Sequence, residues 1–126
     1  MIKLWTLPFP SSGATDTSLE MRLGRECAVV FPNPISGKSS LSLIFDRVQA
    51  FKCTYLSAIT PLPGTYDTLV DLGDSEWLRL IRTRLESHRK ETSALRHLRI
   101  DFDDGPSYEF ICETFRIEEP AREPGR

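Results

Sequence analysis

The sequence predicts an α+β domain: a mostly antiparallel, bent β-sheet of about six or seven strands with one principal helix packed against it. Three observations lead there. Apolar residues recur at every second position through most of the chain, as in Cys27, Val29 and Phe31 and again in Leu41, Leu43 and Phe45, the period of half-buried antiparallel strands. One segment alone changes to helical spacing, placing Trp77, Leu78, Ile81 and Leu85 on a single stripe. With 126 residues, 40% of them hydrophobic, the chain suits one core. Residues 1–119 are therefore expected to form one globular domain, and "PAREPGR", residues 120–126, a disordered C-terminal tail by composition.

Taken in order, Ile2 to Trp5 reads as a short strand, and Leu19, Met21 and Leu23 share one face of the next. The stretch "AVVFPNPISGKSSLSLIFD" carries Gly37-Lys38-Ser39, the end of a phosphate-binding loop. Such a loop needs glycine five residues before the Gly-Lys pair, because backbone N–H groups must close around the phosphates. Pro32 occupies that position, Pro34 removes a second donor, and the residues that follow alternate with period two instead of opening a helix. The segment is a hairpin connection.

The apolar parity shifts between Phe45 and Val48, which predicts a bulge or bend before the strand that carries Phe51, Cys53 and Tyr55. Pro61, Pro63 and Gly64 mark a break. In the helix that follows, Asp74 or Ser75 can cap the start, Glu76 lies in the first turn, and Arg89 and Lys90 lie near the end, all in agreement with the helix dipole. Trp77 is the expected anchor of the helix on the sheet.

The last hairpin, "LRHLRIDFDDGPSYEFICETFRIEE", sets Leu98, Ile100 and Phe102 on one arm against Tyr108, Phe110 and Cys112 on the other. The expected register pairs Phe102 with Tyr108 and Ile100 with Phe110, leaving Asp104-Gly105-Pro106 as a three-residue loop. A second parity break follows Cys112, before Phe115 and Ile117.

This register puts Asp101 directly opposite Glu109, a like-charge pair that costs roughly 0.2–1 kcal/mol on a strand surface. Asp103 lies beside them, and Glu113 opposes His97. The hairpin is thus rich in acids, whereas residues 76–99 are rich in arginine. Three readings compete: a solvated strand face, a surface for a basic partner protein, and an acid/base or metal site. "DFDDG" does not fit a calcium loop, because its glycine comes one position early and the closing glutamate is misplaced. His88 and His97 lack ligand spacing, and no G-x-S-x-G frames a serine nucleophile. No catalytic residue, metal or cofactor is nominated.

A formal net charge of −2 argues against a general nucleic-acid surface, as does a basic helix without an exposed aromatic platform. Cys27, Cys53 and Cys112, odd in number and without metal-like spacing, read as free thiols of a reducing compartment. The apolar start is interrupted by Pro8 and Pro10 and is too short for a signal peptide. No run approaches about 18 apolar residues, so no membrane span is expected and a cytoplasmic location is.

The order "LSLIFDRVQAF", a Trp-bearing helix, then "LRHLRIDFDDGPSYEFICETFRI" resembles small uncharacterised bacterial proteins, among them the immunity proteins that neutralise polymorphic or secreted toxins. The resemblance is one of pattern over residues 17 to 119 and carries no catalytic residues. It implies a non-enzymatic protein-binding role in the cytoplasm, with a basic toxin as partner and an acidic face as the contact. Asp101, Asp103, Asp104, Tyr108, Glu109 and Glu113 are the candidate partner-binding residues, Tyr108 being turned inward by the register above. The alternative is a small enzyme or ligand-binding protein with a pocket between helix and sheet.

Overall fold

Alternation in the sequence becomes nine strands in the computed structural model, which describes residues 1–8, 17–31, 41–55, 66–102 and 106–118. They are β1 (Ile2–Thr6), β2 (Ser18–Arg22), β3 (Glu26–Phe31), β4 (Leu41–Asp46), β5 (Ala50–Tyr55), β6 (Thr68–Asp71), β7 (Arg96–Asp101), β8 (Pro106–Cys112) and β9 (Thr114–Glu118), with one helix, α1 (Glu76–Ser87), between β6 and β7. The class is α+β, but the single bent sheet is in fact two antiparallel sheets. One has five strands in the order β1-β6-β7-β8-β5, the other four in the order β2-β3-β4-β9. The Gly37-Lys38-Ser39 loop, the Pro61–Gly64 break, Asp103, Asp104 and the tail lie outside the described residues. The two arms of the loop-bearing hairpin do pair, Phe31 opposite Leu41.

Both parity breaks fall where the chain passes from one sheet to the other. β4 runs through Arg47–Gln49 into β5, and β8 runs through Glu113 into β9. Backbone bonds fasten this corner: Val48 N–H to Arg25 O at 2.8 Å, Gln49 N–H to Ile111 O at 2.8 Å and Glu113 N–H to Asp46 O at 3.1 Å. A shift of one residue exchanges the two faces of a strand. The same hydrophobic sequence can therefore face the core in both sheets only if the parity changes at the corner.

The main core lies between the sheets. Phe45 of β4 stacks on Phe110 of β8 with ring centroids 3.9 Å apart. Val29, Phe31 and Leu43 from the four-stranded sheet join Leu69, Leu98 and Ile100 from the five-stranded sheet in the same cluster. On the opposite face of the five-stranded sheet, α1 lays Leu78 with Trp77, Ile81 and Leu85 against Ile111 and Ala50. That is the stripe expected from the sequence. β6 was not foreseen: it pairs along its whole length with β1 and through Leu69–Asp71 with β7, and Thr68, Leu69 and Val70 are all buried, so they show no alternation.

The β7–β8 hairpin is displaced by two residues from the expected register. Ile100 faces Tyr108, Leu98 faces Phe110, and Phe102 N–H bonds to Pro106 O at 3.2 Å, so residues 103–105 separate the arms. A two-residue shift leaves every side chain on its expected face but changes every neighbour. Glu109 is opposed by Arg99 rather than Asp101, and His97 by Ile111 rather than Glu113. The predicted like-charge pair does not form.

Candidate functional site

The helix-side face of the five-stranded sheet is polar, yet it is enclosed. His97, Asp101 and Glu109 are 4%, 2% and 7% exposed, and Ser107 is fully buried. A buried charge is tolerated only when it is paired and hydrogen-bonded, and the pairs are present. Arg99 donates to both carboxylate oxygens of Asp101, Nε to Oδ1 at 2.8 Å and Nη2 to Oδ2 at 3.0 Å. The Nε2 of His97 lies 2.8 Å from Oε1 of Glu109, and Lys52 Nζ stands 3.9 Å from the other carboxylate oxygen.

The His97 ring continues to the helix. Ser75, the N-cap of α1, places its Oγ 2.6 Å from His97 Nδ1 and accepts the Leu78 N–H at 3.1 Å. When the imidazole carries a single proton, the Glu109 carboxylate draws that proton to Nε2, which leaves Nδ1 to accept from the Ser75 hydroxyl. Local sequence positions the cap: Asp71 Oδ1 accepts the Gly73 N–H at 2.8 Å, and Gly73, at φ +73°, turns the chain into the helix. Trp77 meets the His97 ring edge-on with centroids 5.1 Å apart, and Lys52 Nζ lies 4.3 Å above the Trp77 ring. Burial works to raise the Glu109 carboxyl, but the hydrogen bond from His97 and the nearby charges of Lys52, His97 and Arg99 together hold it below the usual carboxylate range.

A second feature sits at the corner between the sheets. It is an open cleft of about 740 Å³ lined by Gly24, Arg25, Glu26, Asp46, Arg47, Gln49, Lys90, Glu91 and Glu113. Arg47 Nε pairs with Glu113 Oε2 at 3.1 Å while its own side chain is 75% exposed. Arg25 Nη1 donates to Gln49 Oε1 at 3.0 Å. Glu91 accepts the Ser93 N–H at 2.7 Å and the Thr92 N–H at 2.9 Å, and the bonds from Ser93, then Thr92, lower its carboxyl. Arg25 and Arg47 have φ of 60° and 53°, and Arg89, next to the lining Lys90, has φ of 58°. For a side chain with a Cβ this left-handed conformation costs on the order of 1–2 kcal/mol, and such strain gathers at functional positions.

The six candidate residues therefore part company. Asp101 and Glu109 are buried in ion pairs and offer no acidic surface. Tyr108 faces the core, as the register implied, with its hydroxyl 3.3 Å from Thr17 Oγ1; burial is the main cause that raises it. Of the four candidates that are described, Glu113 is the one that lines the cleft. Cys27 and Cys112 are buried, and burial pushes the Cys112 thiol up to about 12, so both are inert packing. His88 is exposed. Among the described residues no group of three His, Cys, Asp or Glu side chains is placed to hold a metal ion, and no helix is long and apolar enough to cross a membrane.

Ser75, Lys52, Arg25, Arg47, Lys90 and Glu91 were not singled out as site residues from the sequence. Only the N-cap position of Ser75 was legible, because its neighbours on the sheet are set by the register of β7, β8 and β5. No protein-family model, curated protein or solved structure matches the chain.

Proposed function

We propose that this chain is a protein-binding domain of the bacterial, cytoplasmic immunity type, and that its partner surface is the corner cleft. The observation that carries the reading is the gathering of three left-handed arginines, Arg25, Arg47 and Arg89, on or beside one concave surface. Four acidic and three basic side chains line that surface, which favours a partner segment bearing a lysine or arginine. Such a side chain would replace exposed Arg47 on Glu113 and gain Glu91 nearby, and the freed Arg47 would turn to the partner's own acids. Charge pairs of this kind set specificity and on-rate more than raw affinity.

The test is charge reversal at Glu113, using a basic toxin of the same strain as partner. Glu113→Arg should weaken the complex about tenfold or more while leaving the urea midpoint unchanged. Arg47→Glu should weaken it less, because the free guanidinium is not the anchor. Unchanged affinity in a folded Glu113→Arg variant would remove the cleft from the interface.

A further inference from the structure

Ser75, His97 and Glu109 form a continuous chain of hydrogen bonds, Oγ to Nδ1 at 2.6 Å and Nε2 to Oε1 at 2.8 Å. It lies away from the residues that line the corner cleft, and a helix cap does not need it. A cap requires only that Oγ accept an N–H, which Leu78 supplies. The same Oγ also meets Nδ1 of a buried imidazole whose far side is held by a carboxylate, and with the ring proton on Nε2 the hydroxyl donates to it. From the side chains alone, this is the arrangement of an activated nucleophile, a base and the group that orients the base. Ser75 is half-buried, whereas His97 and Glu109 are enclosed, so the residue that would meet a substrate is the least enclosed of the three.

The backbone supplies a further element. The first N–H groups of an α-helix have no acceptor within the helix, and in α1 these belong to Glu76 and Trp77, immediately after Ser75. A negative oxygen on a carbon bonded to Ser75 Oγ would need donors, and these two N–H groups follow Ser75 directly in the chain. Leu78 N–H already bonds to Oγ and stabilises it as its proton leaves.

We infer that Ser75 is a nucleophile for acyl transfer, with His97 as its base, Glu109 as the positioning residue behind His97, and small carboxylic esters as the substrate class. Ser75 Oγ attacks the ester carbonyl carbon and its proton passes to His97 Nδ1, while the carbonyl oxygen takes the electron pair and is held by the Glu76 and Trp77 N–H groups. The carbonyl re-forms, the bond to the alcohol oxygen breaks, and the alcohol leaves with the proton from Nδ1. Water then attacks the acyl-serine and gives a proton to Nδ1. The acid departs as that proton returns to Ser75 Oγ. No oxidant or metal is needed.

The test uses the full chain, a fluorophosphonate for covalent labelling and p-nitrophenyl acetate for turnover. The expected result is a single phosphonyl adduct on Ser75 in wild type, formed with loss of fluoride. Ser75→Asp, which keeps a capping oxygen but no hydroxyl, should give none, and Ser75→Thr should restore part of the labelling. His97→Gln should slow labelling by roughly 10²–10⁴-fold, the span typical of losing a general base. Glu109→Gln should lower kcat for the acetate ester with KM unchanged, a split that mere loosening of the fold does not produce. Folded wild type that forms no adduct, or forms one at any residue other than Ser75, overturns the assignment. So does Ser75→Asp labelled as fast as wild type.

Discussion

Asp101 on the five-stranded sheet and Asp46 on the four-stranded sheet each accept two hydrogen bonds from one arginine, yet their surroundings are opposite. The Arg99–Asp101 side chains are 11% and 2% exposed, whereas those of Arg116 and Asp46 are 47% and 35% exposed. Arg116 also bonds Glu26 at 2.7 Å, and Arg22 stands 3.8 Å from the same carboxylate, so the outer network spreads across four strands in solvent. Water can replace any one of its members. At Asp101 it cannot, and a partner removed there leaves a buried charge without its hydrogen-bonded counterpart. Hydrogen-bond geometry alone thus says little about energetic weight; enclosure decides it.

The sharpest way to break this comparison is to delete one partner from each pair. Asp101→Ala should lower stability by about 3–5 kcal/mol, the usual cost of orphaning a buried charge, read from urea unfolding. The double variant Arg99→Met/Asp101→Leu should recover much of that loss, because a matched apolar pair needs no desolvation of charge. Recovery would show that the buried pair specifies the face rather than stabilising it.

Acid sharpens the contrast further. The Glu109 carboxyl is lower in the folded chain than in the unfolded one, so its contribution is present above the ordinary carboxylate range and is lost as pH falls through the folded value. Urea midpoints measured down from about pH 5 should therefore fall less steeply in Glu109→Gln than in wild type.

Smaller effects test the helix that covers the enclosed face. Arg89 N–H to Glu86 O and Lys90 N–H to Leu85 O close α1 with Arg89 in the left-handed position that glycine usually occupies. Arg89→Gly should raise stability by about 0.5–1 kcal/mol. If Arg89 is kept for the partner, the same variant should bind it less well. Arg116→Ala should shift the urea midpoint least of all, and the shift should shrink further in high salt.

The comparison also shows what the sequence could disclose. Faces were legible wherever a strand alternates, because period two survives any even error of register, although on the edge strands β2 and β5 the apolar residues Met21 and Tyr55 are exposed and Leu23 lies in a turn. The β7–β8 hairpin was displaced by two residues, yet Leu98, Ile100, Tyr108 and Phe110 all kept the core. Both corners were legible as parity breaks at Phe45/Val48 and after Cys112, though not as a division into two sheets, since one chain gives no sign of which strands its neighbours join. β6 was lost because Leu69 and Val70 are buried on both faces. The partners of each charge were not legible. Two residues of register exchange Asp101 for Arg99 opposite Glu109 and turn an apparent acidic patch into a neutralised interior, and the Ser75–His97 bond spans 22 residues, from the cap of α1 to β7.

The most direct measurement is a ¹⁵N–¹H correlation spectrum of the His97 ring at about pH 8, where an unperturbed imidazole is neutral. The expected result is a proton on Nε2, donated to Glu109, and an unprotonated, hydrogen-bonded Nδ1 that loses its partner in Ser75→Ala. A proton on Nδ1 with Nε2 bare would contradict the assignment, because such a ring can neither donate to the carboxylate nor accept from the serine.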